Sequence, residues 1–220
     1  MAHRLVERGV LAAVVLSFAA GAGCSSTATG SPSAPARTAS TAPKAAGGAI
    51  PMGPGPQHPY TVRNQPPAGS CHYRHTGDGQ PLPDSSCTPG ALNPDVTQAT
   101  LATTICRPSG YTRGIRPPAE ITGTEKRANA ASYGFTDSLH DAEYDHLVSL
   151  ELGGDPNDPH NLWVEPPSPG HAPGSGPNNP KDAVENHLHT AICARKVTLS
   201  AAQQAIATDW TTAESSLGLT

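Results

Sequence analysis

The chain has 220 residues, and its 18 acidic and 14 basic side chains give a formal net charge of −4, which argues against a broadly basic nucleic-acid-binding surface. Gly (22) and Pro (24) are abundant while aromatic residues make up only 4%, so the sequence favours one modest domain with a tail. The longest apolar run, Val10 to Ala20, is too short for a mature membrane-spanning helix. No transmembrane protein is therefore predicted.

The first 23 residues have the pattern of a signal peptide. Two arginines precede the apolar run, and the small residues Gly21, Ala22 and Gly23 follow it. The next residue, Cys24, resembles the acylated cysteine of bacterial lipoproteins, which predicts attachment to the outer face of a bacterial membrane. Gly21 stands where such signals usually have Leu, so ordinary cleavage and secretion is the alternative.

Residues 24–67 consist almost entirely of Ser, Thr, Ala, Pro and Gly. Such a segment cannot bury enough apolar surface to offset the entropy of ordering it, so we predict a disordered linker. The composition changes near Cys71, and we place the folded domain at residues 68–220.

Four cysteines remain in the predicted domain: Cys71, Cys87, Cys106 and Cys193. An even number in an exported chain favours two disulfides, for which three connectivities exist. We expect Cys71 to pair with Cys87 and Cys106 with Cys193. A structural zinc site is the alternative, although the sequence has no Cys-x-x-Cys pair.

Three elements are predicted before residue 155. Asp95 opens a short helix over residues 96–105, and a second helix covers residues 118–133. The apolar stretch 147–152, which ends at Gly153 and Gly154, predicts a strand that runs into a turn.

Three further elements are predicted after residue 160. Residues 162–164 provide a partner strand. Pro180 marks the start of a helix in which Val184, Leu188 and Ile192 form a buried stripe. A last helix over residues 201–214 follows Ser200, with Gln203 completing a capping box.

The segment from Asp137 to Glu185 contains ten carboxylates and one basic residue, Lys181, and six of the ten histidines lie between His140 and His189. Such a density of anionic and imidazole groups is costly to assemble without a cation, which suggests a divalent metal. The alternative is a solvated acidic loop with incidental histidines.

The order of residues in this segment is distinctive. Asp145 and His146 are followed by an apolar stretch, by Gly153-Gly154 and then by Asn161-Leu162. This order resembles the core of HNH (His-Me finger, ββα-metal) endonucleases, and also a group of uncharacterised exported bacterial HNH-like proteins. The resemblance implies an α+β fold: a small, disulfide-linked, mainly helical domain with a ββα-metal core at about residues 140–195.

The resemblance also implies roles for individual residues. His146 would be the general base and Asp145 a ligand of a divalent metal ion, Mg²⁺, Mn²⁺ or Zn²⁺. Asn161 would brace the loop and orient His146. For the third metal position we favour His189, which shares a helix face with Lys181 and Glu185, over Asn178.

These assignments predict an exported, lipid-anchored, metal-dependent nuclease with DNA or RNA as substrate and no nucleotide cofactor. A basic cluster could contact phosphates, although a solvated face is the alternative: Arg107, Arg113, Arg116, Lys126 and Arg127. The first rival hypothesis is a catalytically degenerate HNH fold that serves as a binding or structural module of the cell envelope. A different metallohydrolase is the second.

Overall fold

The computed structural model describes residues 48–220. The signal peptide, Cys24 and linker residues 24–47 lie outside the described residues. The described part is α+β. It has four α-helices: α1 (Ala119–Tyr133), α2 (Lys181–Cys193), α3 (Leu199–Thr208) and α4 (Ala213–Ser216). It has two antiparallel strand pairs, β1 (Arg74–His75) with β2 (Pro81–Leu82) and β3 (Glu143–His146) with β4 (Leu162–Glu165). Within these residues no helix is both long and apolar enough to span a bilayer.

The two longest helices confirm the sequence prediction. Helix α1 begins after Pro118, whose backbone is extended, and ends at Gly134, which takes the left-handed conformation that favours glycine at helix ends. Helix α2 begins after Pro180. Of the predicted stripe, Leu188 and Ile192 are fully buried and Val184 is partly buried.

The first strand of the central hairpin is not where the sequence placed it. The strand is Glu143–His146, and Leu150–Leu152 form a turn of 3-10 helix. The reason is Asn161, whose side chain bonds both backbone groups of Val148 (3.0 Å each) and so ends the strand pairing. The apolar run is buried in the core as a loop instead.

The predicted helix at 96–105 is also wrong. The structure has only turns and a 3-10 helix, Leu101–Thr103, in this stretch. The hydroxyls of Thr97 and Thr100 bond nearby backbone groups, and such bonds compete with helix formation.

The last predicted helix is divided into shorter pieces. Thr198, rather than Ser200, caps α3 by accepting a bond from the Ala201 N–H (3.2 Å). The helix then stops at Asp209, whose carboxylate caps the 3-10 helix Trp210–Thr212.

Both predicted disulfides are confirmed. Cys71 is bonded to Cys87, and Cys106 to Cys193. The second bond fixes the C-terminal end of α2 to the segment before α1. Paired cysteines of this kind indicate an oxidising or extracellular environment.

The predicted linker is too long at its C-terminal end. Residues 48–67 contact the domain mainly through backbone groups: the N–H of Gly55 bonds Asp155 Oδ2 (2.7 Å) and that of Arg63 bonds Glu125 Oε1 (2.7 Å). Both carboxylate residues are buried. These hydrogen bonds hold the segment on the domain. A shortage of apolar residues therefore does not make it disordered.

In the described residues the core has one main cluster and two smaller ones, of which one is aromatic. The main cluster joins α2 and α3 to the loop after β3, with Val148, Leu188 and Ile206 among its fully buried members. In the aromatic cluster Tyr73 stacks on Tyr133, with ring centroids 4.7 Å apart, beside Trp163. Strand β4 contributes Trp163 to the aromatic cluster and Val164 to the third cluster.

Candidate functional site

The β3–β4 hairpin presents two different chemical faces. Side chains alternate along a strand, so Glu143 and Asp145 share one face of β3 while Tyr144 and His146 share the other. Across the ladder Glu143 is paired with Glu165. The first face is thus unusually rich in carboxylates.

Lys181, the first residue of α2, is fully buried (0% exposed) against this face. Its Nζ donates hydrogen bonds to Asp145 Oδ2 (2.7 Å), to the backbone oxygen of His146 (2.8 Å) and to Glu185 Oε1. Burial alone would lower the pKa of the ammonium, but the neighbouring carboxylates, Asp145 first, raise it above its usual range. Lys181 is therefore charged, and its ammonium is hydrogen-bonded to the hairpin and to its own helix.

The cluster has more carboxyl groups than one ammonium can neutralise. Burial raises the pKa of Glu185 to about 8. Burial and then the charge of Asp145 raise the pKa of Glu165, which is only 2% exposed, well above its usual range. Neither carboxyl oxygen of Glu165 has an N–H or hydroxyl partner in residues 48–220. Both effects favour the neutral form of Glu165, which lowers the net charge of the cluster.

His146 lies on the opposite face and is 8% exposed. Its Nε2 is 3.1 Å from the backbone oxygen of Pro156, and because a carbonyl can only accept, Nε2 carries the proton. Burial lowers the pKa of His146 to about 4. The ring is thus neutral near pH 7 and has its lone pair on Nδ1.

Asn161 braces the loop between the strands. Besides Val148, its amide Nδ2 bonds the backbone oxygen of Asp155 (2.9 Å), and its own backbone oxygen accepts from the Leu147 N–H (2.8 Å). Among the described residues its side chain makes no hydrogen bond to the His146 ring. Any effect on His146 is therefore exerted through the backbone.

The two candidates for the third metal position lie elsewhere. His189 is eight residues beyond Lys181, or about 12 Å along the helix, and its Nε2 donates to the backbone oxygen of Ile105 (2.8 Å). Asn178 lies in the loop before α2, where its backbone oxygen accepts from the Ser168 N–H. The His189 ring is therefore bonded to the segment before α1 and not to Asp145.

Another group of potential metal ligands occurs in the described part of the chain. The ligand atoms of Cys106, His189 and Cys193 lie within 4.8 Å of one another. This group could hold a metal ion as thiolates. In the structure the two sulfurs are bonded to each other, so they offer no thiolate.

The metal ion implied by the HNH resemblance does not fit the residues present. The Asp145 carboxylate is bonded to an ammonium that is itself fully buried, and the ring of the favoured partner ligand, His189, is bonded to the Ile105 backbone oxygen. The cation of this site is supplied by Lys181.

A solvent-accessible cleft of about 180 Å³ lies beside the cluster. Its polar lining comes from three parts of the chain: Thr112, Arg116, Ser149, Glu151, Asp182, Glu185 and Asn186. Ser149, Glu151 and Asp182 are not among the site residues predicted from the sequence. The spacing of Asp182, Glu185 and Asn186 on one face of α2 was the available signal.

Three members of the predicted basic cluster have different surroundings. Lys126 Nζ donates to the backbone oxygens of Leu139 and Ala142 (2.7 Å each), which gives it a structural role. Arg107 lies over the Tyr111 ring. Arg116 is the member that reaches the cleft.

Comparison of the chain with protein-family models, curated proteins and solved structures finds no match. The function must be argued from the site itself.

Proposed function

We propose that this chain is an exported domain related in architecture to HNH endonucleases, in which Lys181 replaces the metal ion, and that it serves as a binding or structural module of the cell envelope. The order β3, β4, α2 and the positions of Asp145, His146 and Asn161 support the relation. The main support for the replacement of the metal ion is the buried hydrogen bond between Lys181 and Asp145.

The argument is electrostatic. A divalent ion at Asp145 would have to displace the fully buried Lys181 ammonium or lie beside it, and a buried charge that loses one of its partners costs several kcal/mol. The attraction of Asp145 for a metal is correspondingly weakened. The cluster is a stable internal ion group that joins helix to hairpin.

The test is calorimetric titration of the disulfide-intact protein with Mg²⁺, Mn²⁺ or Zn²⁺, together with a plasmid-nicking assay. We expect neither stoichiometric binding nor cleavage. Stoichiometric binding of one divalent ion, accompanied by cleavage that His146→Ala removes, would contradict the proposal.

A phosphodiester hydrolase acting on DNA or RNA is the second candidate. It is favoured by His146, whose Nε2–H is fixed by Pro156 and whose neutral ring retains a lone pair for a general base. If this candidate is correct, His146→Ala lowers turnover by about 10²–10⁴-fold. Asn161→Ala would have a smaller effect because Asn161 acts through the loop.

Attachment to a membrane through Cys24 is part of the first proposal. Mass spectrometry of the mature N-terminus from a bacterial host distinguishes a diacylated Cys24 from a free amino terminus. Either result is compatible with a binding role, but only the acylated form places the protein at the membrane surface.

A further inference from the structure

One of the two disulfides lies at an open cleft. Cys106 and Cys193, which are both partly exposed, line a cleft of about 640 Å³ between the end of α2 and the turns of residues 98–102. Cys71, in the other disulfide, is only 1% exposed and packs in the aromatic cluster. Both residues of the Cys106–Cys193 disulfide therefore border a space that solvent can enter.

His189 completes a group of three potential metal ligands at this disulfide. One ring nitrogen of His189 and the two sulfurs lie within 4.8 Å of one another. His189 and Cys193 are four residues apart on α2 and so share a face of the helix, while Cys106 belongs to the segment before α1. Two ligand atoms of one zinc ion are at most about 4.6 Å apart, twice a Zn–S bond of about 2.3 Å. The three residues thus already have nearly the spacing that one zinc ion requires.

The hydrogen bond of the His189 ring favours metal binding. Nε2 donates to the backbone oxygen of Ile105 (2.8 Å), and because a carbonyl only accepts, Nε2 carries the proton of the neutral ring. Nδ1 then keeps its lone pair. Histidines that ligate a metal usually donate their other N–H to a carbonyl or carboxylate in this way, which fixes the ring. The bond to Ile105 can therefore stay in place while Nδ1 binds a metal ion.

The sulfurs of the disulfide are poor ligands, whereas the two thiolates that follow reduction suit zinc. Thiolate and imidazole are the ligand types that zinc prefers, and they disfavour Mg²⁺ and Mn²⁺. Two thiolates and a neutral imidazole also neutralise the charge of the ion. The site then adds no net charge beside Arg195 and Lys196, which line the same cleft. With three protein ligands, the fourth tetrahedral position is left for water from the cleft.

We propose that reduction of the Cys106–Cys193 disulfide converts this group into a zinc site, with two thiolates, His189 Nδ1 and one water as ligands. The reductant is a dithiol. One of its thiolates attacks a sulfur of the disulfide to form a mixed disulfide, and its second thiol then displaces the remaining cysteine, so two electrons pass to the cysteines and the dithiol becomes a disulfide. Zn²⁺ displaces the two thiol protons to solvent. The site is separate from the Lys181 cluster, and the inference does not rest on the function proposed above.

The other disulfide serves as an internal comparison. Within residues 48–220, Cys71 and Cys87 do not form a group of this kind with a third ligand. When both disulfides are reduced, zinc binding that depends on His189 therefore belongs to Cys106 and Cys193.

The experiment is calorimetric titration of the protein with Zn²⁺, before and after reduction by a water-soluble phosphine. The phosphine takes oxygen from water to become its oxide and adds no thiol ligand. We expect one Zn²⁺ to bind per chain after reduction and none before. Co²⁺ is the spectroscopic probe, because thiolate-to-cobalt charge-transfer bands and tetrahedral d–d bands identify its ligands. If reduction unfolds the chain, added Zn²⁺ should restore the native circular dichroism spectrum.

Matched histidine variants locate the site. His189→Gln keeps an N–H for Ile105 but offers no lone-pair nitrogen. The affinity of the reduced protein for Zn²⁺ should fall at least about 100-fold, since loss of an outer hydrogen-bond partner alone costs roughly 10–100-fold. His187→Gln removes an exposed histidine two residues away on the same helix and should leave the affinity unchanged.

Three results overturn the proposal: no Zn²⁺ bound after reduction, Zn²⁺ bound equally well by His189→Gln, or a reduced chain that binds Zn²⁺ but stays unfolded. Failure of the function proposed above gives a different result. That function is tested on the disulfide-intact protein, in which Cys106 and Cys193 offer no thiolate. A divalent ion bound there occupies another site, whereas Zn²⁺ bound only after reduction supports the present assignment.

Discussion

At the scale of single residues, the central fact is that Lys181 is charged, buried and shared among a helix and a hairpin. A lysine at the first position of a helix, followed by Asp182, reads in the sequence as a solvated residue. Only the three-dimensional contacts with Asp145 and His146 show that it fills the site of a cation. One of the metal ligands implied by the resemblance, Asp145, is therefore already bonded to this lysine.

Two substitutions at Lys181 test this role. Both Lys181→Ala and Lys181→Met leave Asp145 and Glu185 without their cation, so each should destabilise the protein by about 3–5 kcal/mol near pH 7. Only Lys181→Ala leaves space for a metal ion beside the carboxylates. We therefore expect that this variant alone binds Mn²⁺ and that its melting temperature rises when Mn²⁺ is added. A folded Lys181→Ala protein that ignores Mn²⁺ would show that the carboxylates do not form a cation site.

His146 makes a prediction about pH. Its folded pKa of about 4 lies below the usual 6.5, so between these values the unfolded chain binds more protons than the folded one. The contribution of His146 to the free energy of unfolding is fully present above pH 6.5. It is lost as the pH falls towards 4, and the loss is at most about 3 kcal/mol. NMR titration of the His146 ring and urea unfolding across pH 4–7, with His146→Gln as control, measure both effects. A ring that titrates near pH 6.5 would contradict the burial argument.

At the scale of elements, regular periodicity and Pro or Gly boundaries were sufficient for α1, α2 and β4, which the sequence predicts within one or two residues. They were insufficient for β3, because the stretch Leu147–Leu152 is apolar for reasons of burial rather than of strand pairing. What ends the strand is a side chain far along the chain, Asn161, and local patterns do not contain that information.

The close packing of this loop predicts an extreme effect at Gly154. A Cβ added there would lie 1.7 Å from the backbone oxygen of Val148, so Gly154→Ala forces the loop to move. We expect a loss of more than about 4 kcal/mol, measured by chemical unfolding. Gly77→Ala is the matched control, since a Cβ there meets no atom within 4 Å. Similar stability of the two variants would mean that the loop is not held by Asn161 as described.

At the scale of the whole molecule, the disulfides were predictable because four cysteines have only three possible pairings. The residue at which the folded part begins was not predictable. The sequence criterion for a linker is the absence of apolar residues, and residues 48–67 satisfy it although they are bonded to the domain. Their attachment depends on two carboxylates that accept hydrogen bonds from backbone N–H groups far away in the sequence. Glu125 is 62 residues from its donor, Arg63, and Asp155 is 100 residues from its donor, Gly55. Long-range polar bonds of this kind leave no periodic signal.

Removal of this segment is the corresponding test. A chain that begins at residue 68 loses the donors to Glu125 and Asp155 and also the bond from Ser132 Oγ to the Pro66 backbone oxygen. Each buried group left without a partner costs about 1–3 kcal/mol, so the melting temperature should fall by at least about 5 °C relative to a chain that begins at residue 48. Thermal unfolding followed by circular dichroism measures the difference, and Arg63→Pro in the longer chain removes one donor alone and should give an intermediate value. Equal melting temperatures for the two truncated chains would restore the original boundary at residue 67, because the contacts of residues 48–67 would then contribute nothing to the stability of the domain.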